Sequence, residues 1–375
     1  MPVVSVVSQA PSSQIAKIPL DIHSTLGGDL VISVYDLPSR IPSEMLQALS
    51  REAIRTNVVL PHLEKARLRE DTGEIDDNQL WITCTSKDDK GYRTPELILS
   101  CTRSELGEYP IFIAPLIPAS FLTEEFLVPR LRLLMIAMNE HIQTGRVYSI
   151  FAPQLVAELF AEMWFDMKGI DHYSESYYAA KLTFCTKRTF RNRQATDAGL
   201  RGRYVLRPAV MTDLEGVAQL CFQFASESEP FILDAEGALR EAQMLIVNKQ
   251  VWVHELQPNP SLPPSTPSSG SQIACLVAFT RNSQTCATIS KVVTSPDHRG
   301  MGCAQRLMRQ VCKHLLNSGK QAVALYVAHN NVPATKVYHN VGFVGLGEAD
   351  NQPIEGVERW SEIGFDRNRV QLGHW

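Results

Sequence analysis

The stretch from Ile289 to Ala304 constrains the fold of this chain more than any other. It begins with a β-branched run, Ile289 to Thr294, which is typical of a buried strand. Pro296 ends that run, because proline has no N–H to donate to a neighbouring strand. Apolar residues at helical spacing then follow as far as Gly319, a suitable helix terminator. The sequence therefore predicts a strand, a turn of small residues and a helix in direct succession.

The turn between this strand and this helix is suited to an anion. Gly300, Gly302 and Ala304 have little or no side chain, so a diphosphate can approach the main chain there. The first N–H groups of a helix have no partner within it, and the helix dipole makes that end partly positive. Arg299 adds a permanent positive charge. The other interpretation is a plain turn, because glycine pairs are also common before helices that bind nothing.

A second strand and helix follow at once. Ala322 to Val327 predicts a strand, and Asn331 is a suitable N-cap for the helix after it. Pro333 is tolerated in the first turn, where its missing N–H costs nothing. One face of this helix is apolar and includes Tyr338, and Gly342 ends it.

Together the two segments resemble the motifs of the GCN5-related N-acetyltransferase (GNAT) superfamily. Arg299-x-x-Gly302-x-Ala304 is similar to its acyl-CoA diphosphate loop. The run Asn331-x-x-Ala334-x-x-x-Tyr338-x-x-x-Gly342-Phe343 is similar to its second motif, in the family's order and at the expected distance. Residues 291–300 are most similar to the FR47-like small-molecule branch, and the chain ending resembles fungal tandem-domain members. The resemblance implies acetyl-CoA as co-substrate and no metal.

The resemblance also implies roles for individual residues. Pantetheine would lie along residues 292–294, where an N–H near Val293 or Thr294 would donate to the thioester oxygen. Asn331 would bond to pantetheine as well as cap its helix. Tyr338 would act as general acid, since a phenol is protonated at neutral pH, although packing in the core would also explain it. The expected cofactor-binding residues are Val292, Val293, Thr294, Arg299, Gly300, Met301, Gly302, Cys303, Ala304, Asn331 and Tyr338.

The general base is less well defined by the sequence. The strand before the diphosphate loop has no glutamate, so Glu227 and Glu229, between two predicted helices, are the candidate catalytic carboxylates. They would act with Tyr338. Solvated loop charges, a water molecule as base, or an amine that is already neutral are the alternatives. If these carboxylates act, glutamine at both positions should lower turnover severalfold without changing acetyl-CoA affinity. Cys303 lies where a helix N-terminus lowers thiol pKa values, but we expect it there as a small residue.

The order of predicted elements indicates an internal duplication. A strand, loop, helix, strand and helix occur twice, with 53 positions from Leu116 to Gly169 and 48 from Thr294 to Gly342. We therefore predict an α/β (α+β) tandem GNAT fold with mixed, mostly antiparallel sheets flanked by helices. The expected parts are a loosely ordered N-terminus (1–25), a degenerate GNAT-like domain (26–190), a linker (191–203) and a catalytic domain (204–375). An unrelated α/β domain is the alternative for the first half.

The first copy should bind no acyl-CoA. Its loop, residues 117–125, has no glycine and carries Glu124 and Glu125, whose charges would repel a diphosphate.

Composition limits the class of protein and its partners. The 375 residues have a net charge of −4, which provides no general attraction to nucleic acid or to an anionic membrane. Eight scattered cysteines without a CxxC pair, no membrane-length apolar run and no basic signal region favour a cytoplasmic protein. The expected partner is a small-molecule amine such as a polyamine, an amino acid, a secondary metabolite or a siderophore amine; the oligomeric state stays open. A protein or peptide N-acetyltransferase and a non-catalytic acyl-CoA-binding regulator are the alternatives.

Overall fold

The computed structural model describes residues 5–8, 29–76, 78–192, 204–257, 272–347 and 353–374. The expected N-terminal segment and linker lie mostly outside these ranges, as does the connection from Pro258 to Ser271. The chain forms two compact units, one of residues 1–181 and 358–375 and the other of residues 182–357. No helix in the described part of the chain has the length and apolar character needed to cross a membrane.

The helices and strands follow the chain in two groups. The elements before residue 187 are β1 (Ser5–Ser8), β2 (Asp29–Tyr35), α1 (Ser43–Arg51), α2 (Leu60–Asp71), β3 (Leu80–Lys87), β4 (Arg93–Cys101), β5 (Arg103–Ser104), β6 (Gly107–Glu108), β7 (Ile111–Pro115), α3 (Glu124–His141), β8 (Ser149–Pro153), α4 (Gln154–Lys168) and β9 (Tyr178–Thr186). The later elements are β10 (Tyr204–Pro208), α5 (Leu214–Ser226), α6 (Ala235–Val247), β11 (Val251–Leu256), β12 (Gln272–Ala278), β13 (Arg281–Asn282), β14 (Cys286–Ile289), β15 (Lys291–Thr294), α7 (Cys303–Asn317), β16 (Ala322–Ala328), α8 (Val332–Val341) and β17 (Glu358–Gly364).

The first unit is built on a mostly antiparallel sheet. Strands β2, β3, β4 and β7 pair antiparallel in that order, β7 and β8 pair in parallel, and β8 pairs antiparallel with β17. The parallel pairing of β7 with β8 is short, because it joins only Ile111 to Ile150 and Phe112 to Phe151. Large buried aromatic side chains fill the core, among them Trp81, Trp164 and Trp360.

The second unit contains two groups of paired strands between helices. Strands β10, β11, β12 and β15 pair antiparallel, while β14 pairs in parallel with β16 and antiparallel with β13. The alternation of side chains on β12 separates two cores. Leu276 packs with apolar residues of α5 and α6, whereas Cys275 and Val277 pack with those of α7. The sheet is therefore covered on both faces, which confirms the predicted mixed, mostly antiparallel fold with flanking helices.

Four expectations differ from the structure. The final strand, β17, pairs with β8 and belongs to the first unit, whereas we expected it to close a domain of residues 204–375. Residues 370–374 form no strand, although Gln371 and His374 donate N–H groups to Gly145 and Glu108. In the helical pattern from Ser43 to about Arg69 we placed a break near Pro61; the break lies instead between Arg51 and Leu60, and Pro61 is in the first turn of α2. The strand expected from Ile289 to Thr294 is two strands, separated at Ser290.

Candidate active site

The chain changes its strand partner at Ser290. Strand β14 pairs with β16 as far as Ile289 and Leu325, while β15 pairs with β12 instead. Ser290 makes the change by donating its N–H to the carbonyl of Ala278, 2.9 Å away. Strand β15 stands at the end of its sheet, so its other edge has no strand neighbour among the described residues. An extended ligand with amide groups could pair with that edge as an added strand does.

The register of β15 determines which main-chain groups face this edge. Ser295 donates its N–H to the carbonyl of Ala274 at 2.9 Å, and the pairing places Thr294 opposite Cys275. Because N–H groups alternate along an antiparallel strand, Val293 directs its N–H toward β12. Val292 and Thr294 direct theirs to the free edge. The register thus favours Val292 or Thr294 as donors to a ligand, rather than Val293.

The loop that follows β15 leaves the beginning of α7 open. Gly300 and Gly302 have φ angles of +77° and +72°, a left-handed conformation that L side chains rarely adopt. Gly302 is the N-cap of α7, and neither a side-chain cap nor an acidic residue occupies the first turn. The first N–H groups of α7, including those of Cys303 and Ala304, therefore remain available to an anion. A Cβ on Gly300 would meet no atom within 4 Å, so the main chain is open to approach at that position.

Arg299 and Glu227, which we expected in separate roles, are in contact. Arg299 Nη2 lies 3.1 Å from Glu227 Oε1, and both side chains are more than half exposed, at 55% and 63%. Arg299 Nε also donates to the carbonyl of Thr294, 3.4 Å away. An anion bound at the loop would compete with Glu227 for Arg299. We expected glutamine at both 227 and 229 to leave acetyl-CoA affinity unchanged, whereas this contact predicts a change in affinity from position 227.

A buried arginine lies behind the same loop and was not found from the sequence. Arg306, in the first turn of α7, is 6% exposed and donates from Nη2 to the carbonyl of Met301. Its Nε lies 3.4 Å from Nε2 of buried His254, and its guanidinium lies over the ring of Tyr204 at 5.3 Å. Burial and the charge of Arg306 lower the pKa of His254 to about 4. No spacing rule separates Arg306 from the other basic residues of this helix.

The helix after β16 places Asn331 and Tyr338. Asn331 Oδ1 accepts the N–H of Ala334 at 3.1 Å, so Asn331 is the N-cap that the sequence predicts. Tyr338 is buried and packs against Phe343, with ring centroids 5.8 Å apart. It belongs to the same apolar cluster as Cys303 and residues of β16. The structure therefore places Tyr338 in the apolar core that α7 also lines.

The remaining candidates for proton transfer, two carboxylates and one thiol, differ in how far they are exposed. Glu227 and Glu229 are exposed. Burial raises the pKa of the Cys303 thiol, so the helix N-terminus does not make it a thiolate, and it serves as a small buried residue.

A buried ion pair, also missed from the sequence, joins α6 to β15. Lys291 Nζ lies 2.6 Å from Glu241 Oε1, and these side chains are 11% and 6% exposed. The lysine within a β-branched run was the only sequence signal of this pair.

The corresponding loop of the first unit lacks these features. The Oγ1 of Thr123 accepts the N–H of Phe126, which caps α3, and Glu124 and Glu125 occupy its first turn. An open cavity of about 760 Å³ at this position is lined in part by both glutamates. Their charge disfavours a diphosphate there.

This chain is similar in sequence and in structure to known proteins. Residues 227–343 match the family model "Acetyltransferase (GNAT) family". A solved Drosophila protein is 12% identical over 87% of this chain and 95% of its own, with a TM-score of 0.54, and it supports the fold alone. A GCN5-related N-acetyltransferase from Sphaerobacter thermophilus is 14% identical over 92% of this chain and 97% of its own, with a TM-score of 0.49. A tandem GNAT protein from the clavulanic acid biosynthesis pathway is 12% identical over 89% of this chain and 98% of its own, with a TM-score of 0.46. No curated protein matches at a significant level. The second unit of this chain therefore contains a segment, residues 227–343, that matches the model of the GNAT acetyltransferase family.

Proposed function

We propose that the second unit transfers the acetyl group of acetyl-CoA to the amine of a small molecule, by direct attack while both substrates are bound. The observation that carries this proposal is the open N-terminus of α7, which follows directly on a strand with a free edge. This pair of features fits a ligand that has a diphosphate at one end and an extended amide chain at the other.

The binding roles follow from the main chain. The diphosphate would be held by N–H groups of residues 300–304 and by Arg299 once Glu227 is displaced. The amide groups of pantetheine would pair with Val292 and Thr294. Asn331 uses its Oδ1 as a cap, which leaves its Nδ2 as a donor to the same chain.

Three groups would carry the chemistry. Acetyl-CoA supplies the acetyl group as an activated thioester. An N–H of Val292 or Thr294 would donate to the carbonyl oxygen as negative charge develops on it. Tyr338 would donate a proton to the departing sulfur. For the base, Glu229 or Glu227 remains our proposal, and the contact between Glu227 and Arg299 favours Glu229 because it is not engaged with the loop.

The test is the release of free CoA from acetyl-CoA in the presence of an amine panel, with peptides as a second panel. We expect turnover with at least one of the small amines. Turnover with peptides alone would identify a protein or peptide N-acetyltransferase. Tight CoA binding without any turnover would indicate a non-catalytic acyl-CoA-binding regulator.

A further inference from the structure

The charge of Arg306 is not balanced within the described part of the molecule. Its contacts there are the carbonyl of Met301, the imidazole of His254, the thiol of Cys303 and the ring of Tyr204. No described carboxylate lies within ion-pair distance of its guanidinium. A buried cation without a counter-charge is costly, since desolvation is not offset by attraction to an anion.

The neighbours of Arg306 are themselves neutral. Burial and Arg306 keep the pKa of His254 near 4, so the imidazole carries no charge at neutral pH. Burial raises the pKa of the Cys303 thiol. The described side chains that contact the guanidinium therefore carry no charge of their own.

The guanidinium lies directly behind the open loop. A Cβ on Gly302 would lie 3.2 Å from Arg306 Nη1, so the guanidinium lies beside the main chain of Gly302. The hydrogen bond from Nη2 to the Met301 carbonyl also orients the turn that presents the free N–H groups. Both the position of Arg306 and its unbalanced charge therefore favour an anion bound at this loop.

We propose that Arg306 is the buried counter-charge and positioning residue for the diphosphate of coenzyme A, a proposal that rests on the proposed function of this site. It orients the loop through Met301 and attracts the diphosphate through Gly302, while the exposed Arg299 contributes from the solvent side. Tyr204 and His254 hold the guanidinium in place without neutralising it.

The test compares Arg306→Met and Arg306→Lys with the matched control Arg309→Met. Arg309 lies one turn later on α7 and donates to the carbonyl of Arg191, away from the loop. Calorimetry with CoA should show at least a tenfold loss of affinity for Arg306→Met. Arg309→Met should stay within about threefold of the parent. Arg306→Lys keeps the charge but loses the planar contacts with Met301 and Tyr204, so its affinity should lie between those of the parent and Arg306→Met. Pantetheine, which has no diphosphate, should bind the parent and the three variants with the same affinity.

Titration of His254 in the parent protein by NMR provides a readout that does not depend on any variant folding. Bound CoA should raise the pKa of His254, because the diphosphate offsets the charge of Arg306. An unchanged His254 titration, or equal CoA affinity of folded Arg306→Met and the parent, would overturn the role of Arg306 while leaving the proposed function in place. A parent protein that binds no CoA would overturn both.

Discussion

At the scale of single residues, the site contains two arginines with different surroundings. Arg299 is exposed and pairs with Glu227, whereas Arg306 is buried among neutral groups. An exposed ion pair contributes roughly 1 kcal/mol or less, so Arg299 is easily recruited by a ligand. The sequence indicated Arg299 because it precedes the glycines. It could not indicate Arg306, since the burial of a helical arginine depends on which strand packs over it.

Glu227→Gln should strengthen acetyl-CoA binding by about twofold to fivefold, because it removes an exposed competitor for Arg299. Fluorescence or calorimetric titration at low salt measures the change, which should shrink at high salt. Glu229→Gln is the control and should leave the affinity unchanged. Weaker binding by Glu227→Gln would show that the carboxylate helps the cofactor site instead.

The buried His254 should make stability depend on pH. Its pKa is lowered to about 4 in the folded protein, below the ordinary value of about 6.5 in an unfolded chain. Between these values the unfolded state binds a proton that the folded state does not, so the free energy of unfolding falls as the pH falls from 7 to 4. The full loss is about 3 kcal/mol.

Urea unfolding of the parent and of His254→Gln at pH values from 4.5 to 7 measures this contribution. The difference in unfolding free energy between the two proteins should narrow as the pH falls. Parallel pH profiles would show that His254 does not titrate differently in the two states.

At the scale of elements, the strands and helices near the site were predictable but the break at Ser290 was not. Both halves of the run from Cys286 to Thr294 have strand propensity, so composition gives no reason to divide them. The division arises because β12 and β16 pair with different parts of the run. The free edge of β15, on which the proposed pantetheine site depends, is a property of pairing and not of local sequence.

Gly302→Asp should lower CoA affinity at least tenfold, because it places a carboxylate where the diphosphate is expected. The variant should still fold, since aspartate tolerates the N-cap φ of +72° better than most residues do. Gly319→Asp is the matched control: this glycine follows the same helix, has a φ of +104°, and has open space for a Cβ. It should bind CoA as the parent does. A folded Gly302→Asp protein with the same CoA affinity as the parent would contradict the diphosphate site.

Glu241→Gln should destabilise the protein by about 3–5 kcal/mol, because it leaves the buried Lys291 without a counter-charge. Chemical denaturation measures the effect. Glu236→Gln, which removes one partner of an exposed pair with Arg240 on the same helix, should cost less than about 1 kcal/mol. The double variant Glu241→Leu with Lys291→Met should recover much of the loss. Equal stability of the parent and Glu241→Gln would contradict a tight buried pair.

At the scale of the whole molecule, the two halves of the sequence do not correspond to the two units. Strand β9 crosses the unit boundary, and the last strand of the chain belongs to the first unit. Cys185, just past the boundary, packs in the apolar cluster of α7. The duplication expected from the sequence placed residues 358–375 in the second domain, whereas the structure groups them with the first unit.

Removal of residues 358–375 should destabilise the first unit, because β17 pairs with β8 and buries Trp360 and Phe365. It also removes Glu358, which lies 2.6 Å from the buried Arg55. Limited proteolysis should show rapid cleavage within residues 29–181. Deletion of residues 371–375 alone is the control and should have a much smaller effect, since it leaves β17 in place. Equal protease resistance of the parent and the longer truncation would contradict the assignment of β17.

The sequence by itself determined the local features: the glycine turn, the cap at Asn331, the helical faces and the two repeats of strand, loop and helix. These depend on φ preferences, hydrogen-bonding capacity and hydrophobic period, which neighbouring residues decide. Only the tertiary structure decided the free edge of β15, the contact of Arg299 with Glu227, the burial of Arg306 and Glu241, and the unit that β17 completes. Each of these depends on pairing and packing between segments distant in the chain, and such contacts leave no periodic pattern in either segment alone.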